Sequence, residues 1–155
     1  MHISQFKLNA SDSVEATQYL GIINLKSFTI SQIHAKFILI EIFSLYCPIC
    51  HKQAPIANKL YKFIEQDPEL SKDIKMIGIG TGNNLKEIGV FKTKFHVPFP
   101  VFSDPDFSIH KKIGEPRTPF TILVNNKGKV LLTHSGVVND LDEFFSKIKK
   151  LQEKK

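Results

Sequence analysis

Tryptophan is absent from this chain of 155 residues, arginine occurs once, and there are only two cysteines. Each shortage closes off a class of function. The formal charge of +6 is carried by lysine except at Arg117, and lysine lacks the planar fork that reads phosphates and guanine edges. The lysines are also spread along the chain rather than drawn into one stripe, so no nucleic-acid partner is expected. The densest group, Lys147, Lys149, Lys150, Lys154 and Lys155, closes a helical pattern at the C-terminus, where cations suit the helix dipole. No hydrophobic run is long enough to cross a bilayer. The longest, Phe37 to Phe43, is interrupted by Glu41 and falls far short of the roughly 20 residues a spanning helix needs. Met1 to Ala10 lacks a basic stretch followed by an apolar one, so no signal peptide is expected within this chain. Two cysteines separated by two residues cannot staple distant loops and form a local chemical unit instead.

What is present reads as alternating strands and helices. Residues 1–27 form a lead-in punctuated by Ser11, Asp12, Ser13 and Gly21, without sustained periodicity; residues 28–155 carry the pattern of a folded domain. Phe37 to Phe43 is β-branched and aromatic, apolar on both faces and of strand length, as in a central strand covered by helices on each side. From Pro48 a helix follows, with Ile56, Leu60, Phe63 and Ile64 at helical spacing, a kink expected at Pro55 and a stop at Asp67-Pro68. A second buried strand spans Lys75 to Gly80, and Leu85 to Phe95 is a short helix. Val97 to Phe102 is extended, and Phe107 to Ile113 is a short helix. Phe120 to Val124 and Val130 to His134 form a hairpin about Asn125-Asn-Lys-Gly128. Asp140 can cap a last helix bearing Leu141, Phe144, Phe145 and Ile148. This order predicts an α/β sandwich with a mixed sheet.

The pair Cys47-Pro-Ile-Cys50 sits where the buried strand ends and a helix begins. The first N–H groups of that helix and its dipole favour a thiolate on Cys47, bringing its pKa below the free value of about 8.5. Only the thiolate attacks a disulfide. Cys50, about one turn on, can close a ring onto Cys47 and release a bound partner.

These segments resemble the thioredoxin superfamily, and within it the extracytoplasmic reductases of the TlpA and ResA type. The likeness runs over roughly residues 28–150, through Phe28 to Lys36, the strand Phe37 to Phe43, Cys47 to Cys50 and Pro55. It continues through Pro100 to Asp104, Thr118-Pro119-Phe120 and the Gly128 hairpin. The resemblance implies a thioredoxin-like three-layer α/β/α sandwich with a central mixed β-sheet. It further implies a thiol-disulfide oxidoreductase with Cys47 as nucleophile and Cys50 as resolving thiol, and a cis bond before Pro119. Substrate contacts would fall to Tyr46, Pro48, Thr118 and Pro119, with Arg117 at the rim. No cofactor beyond a redox-active Cys47–Cys50 disulfide is implied. The expected partners are protein thiols or disulfides and an electron-donor thiol oxidoreductase, with a membrane-bound donor among the candidates. A monomer in the periplasm or another extracytoplasmic space is expected, a cytoplasmic protein being the alternative. The chain departs from the family at Tyr46, where Trp is usual, at Gln53, where glutamate is frequent, and at Ala35, where glycine is common.

Glu41 lies six residues before Cys47, in a strand apolar on both faces, where a carboxylate is costly unless protonated or paired. Its position matches the buried acid of thioredoxin and makes it a candidate proton acceptor for Cys50, a structural ion pair being the alternative. Four rival readings are a haem carrier, a thiol peroxidase, a zinc site and a redox-inactive interaction module, the last opposed by the retention of both cysteines. Cys47-Pro-Ile-Cys50-His51 also fits covalent haem attachment with His51 as axial ligand. Ser44 lies where peroxiredoxins place a threonine, although Ile40 replaces their proline. Zinc is not expected, because the single cysteine pair lacks a second one, and His34, His51, His96, His110 and His134 read as ordinary residues.

Overall fold

The computed structural model describes residues 1–3, 5–10 and 13–154; Ser11, Asp12 and Lys155 of the sequence pattern lie outside them. In chain order the elements are β1 (Leu8–Asn9), α1 (Val14–Leu20), β2 (Ser27–Phe28), β3 (Phe37–Phe43), α2 (Pro48–Gln66), α3 (Pro68–Asp73) and β4 (Ile74–Thr81). They continue with α4 (Leu85–Phe95), β5 (Val101–Asp104), α5 (Ser108–Ile113), β6 (Phe120–Asn125), β7 (Val130–Ser135) and α6 (Leu141–Glu153). The main sheet has the order β5-β4-β3-β6-β7; β3, β4 and β5 are parallel, β6 is antiparallel to β3, and β7 is antiparallel to β6. This is the mixed central sheet of a thioredoxin-like α/β sandwich.

Alternation along β3 divides the core. Phe37, Leu39 and Phe43 enter the layer packed by α2, α4 and α6, while Ile38, Ile40 and Ile42 enter the opposite layer with Phe102 and Ile109. By the same alternation Glu41 points toward α2 rather than away from it. On α2 the buried residues are Cys50, Gln53, Ala54, Ala57, Leu60 and Ile64, so Ile56 and Phe63 lie to the side of the buried stripe. Small side chains at 54 and 57 let this helix approach the sheet closely. The helix runs unbroken through Pro55, and Asp67 both ends it and caps α3, accepting from the N–H groups of Glu69 and Leu70 at 3.1 and 3.2 Å.

Residues 1–27, which the sequence pattern sets apart as a lead-in, pack onto the domain. Ile3, Phe6, Leu8, Leu20 and Ile22 are buried against the layer of Ile38, Ile40 and Ile42, and β1 pairs with β2. Tyr19 adds a tether, its hydroxyl accepting from Met76 N–H at 2.8 Å. The segment lacks visible periodicity because its strands have two residues each and α1 only seven.

Candidate active site

Cys47 is the N-cap of α2, with Pro48 at the first helical position, where the missing N–H is no loss. The cap places a sulfur where a helix ordinarily places an oxygen: Cys50 N–H donates to Cys47 Sγ at 3.3 Å. Cys47 is half-buried and Cys50 is 1% exposed, and both are free thiols. Partial burial pushes the Cys47 thiol up. Hydrogen bonds from the Cys50 thiol, the Thr118 side chain and the N–H groups of Cys50 and Ile49 outweigh it, and the net direction is down. Cys50 is pushed up to about 12, first by burial and then by its hydrogen bond to Cys47. One thiol is thus poised to ionise and its neighbour to keep its proton.

The Thr118–Pro119 bond is cis, and the Thr118 carbonyl faces the dithiol, accepting from the Cys47 thiol at 3.7 Å. Pro119 is buried, Thr118 half-buried, and Pro48 and Arg117 exposed. Tyr46 is 70% exposed and reaches across to α4, where its hydroxyl donates to Glu87. Glu87 belongs to the capping box of α4, accepting from Asn84 N–H while Asn84 accepts from Glu87 N–H, both at 2.9 Å. Next to it, Asn83 accepts from Leu45 N–H at 2.9 Å, and the Leu45 carbonyl lies 2.6 Å from His51 Nε2. The loop carrying Cys47 is therefore fastened on both sides. Asn83 and Glu87 carried no signal in the sequence beyond a turn and a helix start.

His51 turns inward, its ring against Phe91 and Phe95 and one nitrogen engaged by Leu45, a poor disposition for a haem ligand. The Ser44 hydroxyl accepts from Tyr46 N–H at 3.3 Å. Among the described residues no group of three or more His, Cys, Asp and Glu side chains is placed to hold a metal. No helix among them is long and apolar enough to cross a membrane.

Glu41 is buried, and two side chains meet its carboxylate: Gln53 Nε2 donates to Oε1 at 2.9 Å and Thr121 Oγ1 to Oε2 at 2.7 Å. Burial raises its pKa to about 7, the two hydrogen bonds working in the opposite direction. Its partners are these neutral groups rather than a lysine. Glu41, Cys50, Gln53 and Asn58 border one cavity of about 20 Å³, walled by Phe91 and Phe99, which is room for a single water molecule.

A thioredoxin-like sheet carrying a cysteine pair at a strand-to-helix junction, opposite a cis-proline loop, defines a thioredoxin-superfamily oxidoreductase. The chain belongs to the Redoxin family, whose profile matches residues 11–150. It is similar to the thiol-disulfide oxidoreductase ResA of Halalkalibacterium halodurans, 26% identical over 80% of this chain and 69% of that protein. ResA of Bacillus subtilis is 23% identical over 76% and 63%. The chain thus spans about two thirds of the length of these relatives. In fold it is similar to StoA of Bacillus subtilis, with a TM-score of 0.67, 16% identity and coverage of 94% and 96%. It is likewise similar to a thioredoxin-family thiol:disulfide interchange protein of Chlorobium tepidum, with a TM-score of 0.70, 14% identity and coverage of 98% and 96%.

Proposed function

We propose that the protein is a thiol-disulfide oxidoreductase working through Cys47 and Cys50, and that it reduces disulfides of extracytoplasmic proteins. The reading is carried by one observation: Cys47 caps α2 with its sulfur on the Cys50 N–H, and its proton affinity is lowered while that of Cys50 is raised. The Cys47 thiolate attacks one sulfur of the substrate disulfide, forming a mixed disulfide and releasing the other sulfur as a thiolate that takes up a proton. Cys50 then gives its proton to Glu41 across their shared cavity and attacks Cys47 Sγ. The Cys47–Cys50 disulfide forms and the second substrate sulfur leaves as a thiolate; it takes up a proton from water, Glu41 gives its proton back to solvent, and the substrate has gained two electrons and two protons. Thr118 offers its main chain to the extended substrate segment beside Cys47, with Tyr46, Pro48 and Pro119 forming the walls.

The cycle needs no cofactor beyond the dithiol, and an external dithiol protein returns it to the reduced state. We assign that role to a membrane-bound donor and the working form to a monomer outside the cytoplasm, in keeping with the TlpA and ResA type. The test is the reduction potential of the pair, read by alkylation and mass shift in graded thiol buffers, because the chain has no tryptophan to report it. A two-electron couple near about −270 mV supports a reductase, whereas one near about −120 mV marks an oxidant. Thiols that never form a reversible intramolecular disulfide would overturn the assignment altogether.

A further inference from the structure

The Gln53 side chain joins three elements. Its Oε1 accepts from Val138 N–H at 2.9 Å, in the segment between β7 and α6, and its Nε2 donates to Glu41 Oε1 on β3 at 2.9 Å. A backbone N–H can only donate. The amide oxygen must therefore face Val138, and the NH2 group must face Glu41, so the main chain fixes the direction of the amide. The other carboxylate oxygen, Oε2, is met by the Thr121 hydroxyl, which can rotate to donate or accept. A proton arriving on Glu41 is thus directed to Oε2, while Oε1 stays paired with a group that can only donate.

We infer that Gln53 is a positioning residue: its amide, oriented by Val138, keeps the Glu41 carboxylate on the cavity shared with Cys50 and favours its proton-accepting form. The inference rests on the reading of Glu41 as the acceptor for Cys50. The titratable groups around Glu41 are few. Cys50 on α2 borders the same cavity, with Cys47 behind it, and on β7 His134 lies beyond Thr121, its ring nitrogen engaged by the Val137 carbonyl. The neighbours from β4, β6, β5 and α4, namely Gly78, Thr121, Val101 and Phe91, carry no charge. Thr121 shares in holding the carboxylate through Oε2, but its hydroxyl can turn, whereas the Gln53 amide is fixed in direction by Val138.

The experiment is an infrared titration of the Glu41 carboxyl band in the wild-type protein, Gln53→Leu and Gln53→Glu, with Glu41→Gln identifying the band, alongside the pH profile of turnover. A hydrogen bond to a charged group is strong enough that its removal in Gln53→Leu should move the Glu41 midpoint up by about one to two pH units. That is a roughly tenfold to hundredfold rise in proton affinity, and the acid limb of turnover should move with it. In Gln53→Glu the new carboxyl can still accept from Val138 N–H but faces Glu41 with like charge, so two coupled titrations displaced from the wild-type midpoint are expected. A merely structural Gln53 would lower thermal stability and leave the midpoint where it is, which overturns the inference. If Gln53→Leu does not fold, Gln53→Met, which keeps the length of the side chain but cannot donate, decides by the same criterion. A midpoint that moves while the turnover limb stays put upholds the positioning role of Gln53 and refutes Glu41 as the acceptor.

Discussion

Glu41 shows how one side chain can be legible as a type and hidden as a geometry. A carboxylate in Phe37-Ile-Leu-Ile-Glu-Ile-Phe43 announces itself by its cost. Its partners Gln53 and Thr121 lie 12 and 80 positions away in sequence, and only the fold brings them together. The folded carboxyl titrates at about 7 against an ordinary 4.5, so the native state keeps a proton that the unfolded chain has lost between those values. Stability from this group is therefore complete below about 4.5 and lost as pH rises through about 7. Glu41→Gln has no such titration, and its amide can still meet both Gln53 and Thr121. The stability difference should shift in favour of the variant by roughly 3 kcal/mol across that window and stay flat above it, as read by urea unfolding at stepped pH. Turnover above pH 7 should nevertheless fall by about a hundredfold, the usual worth of a positioned general base. Unchanged turnover would remove Glu41 from the chemistry and leave the stability result standing. At the dithiol itself, Cys47→Ser should abolish exchange, while Cys50→Ser should accumulate a mixed disulfide visible by mass spectrometry. Capture by Cys50 in a Cys47→Ser chain would reverse the assigned roles.

At the scale of elements, the strongly patterned pieces were readable: β3, α2, α4, the β6–β7 hairpin and α6 all lie where the apolar spacing sets them. The less patterned pieces were not. α3 has six residues between two strong signals, and β5 is preceded by Val97-Pro-Phe-Pro100, whose extended reading blurs where the strand begins. The turn after β4 was legible as a turn, but the different tasks of its two asparagines were not. Asn84 caps α4, whereas Asn83 is 1% exposed and holds Leu45 N–H, two residues before Cys47. Asn84→Ala should cost about 1 kcal/mol in thermal or urea denaturation through the lost cap and leave exchange kinetics alone. Asn83→Ala should cost about 1–3 kcal/mol by stranding a donor. It should also slow exchange, since the loop that aims Cys47 loses its main-chain hold on the β4–α4 turn and keeps only the His51 contact to the Leu45 carbonyl and the exposed Tyr46–Glu87 hydrogen bond. Equal kinetics in the two variants would show that this strap supports the fold without aiming the nucleophile.

At the scale of the whole molecule, the sheet needs both faces covered, and its two covers differ in visibility. One is built by α2, α4 and α6, long helices with evident apolar spacing. The other is built in part from residues 1–27, whose short strands and single short helix leave no period to detect, even though Leu20 is fully buried and Leu8 and Ile22 are 1% exposed. Burying a large aliphatic or aromatic side chain contributes about 1.5–3 kcal/mol. Ile3, Phe6, Leu8, Leu20 and Ile22 together therefore contribute on the order of 10 kcal/mol, as much as the net stability of a typical domain. A chain starting at Phe28 should consequently lack a cooperative urea transition and bind hydrophobic dyes through the bared Ile38, Ile40 and Ile42 face, although its dithiol and cis-proline loop are intact in sequence. A steep, cooperative transition in that shortened chain would instead mean that α5 and the remaining residues close this face unaided, and that residues 1–27 are an accessory cover rather than part of the folding unit.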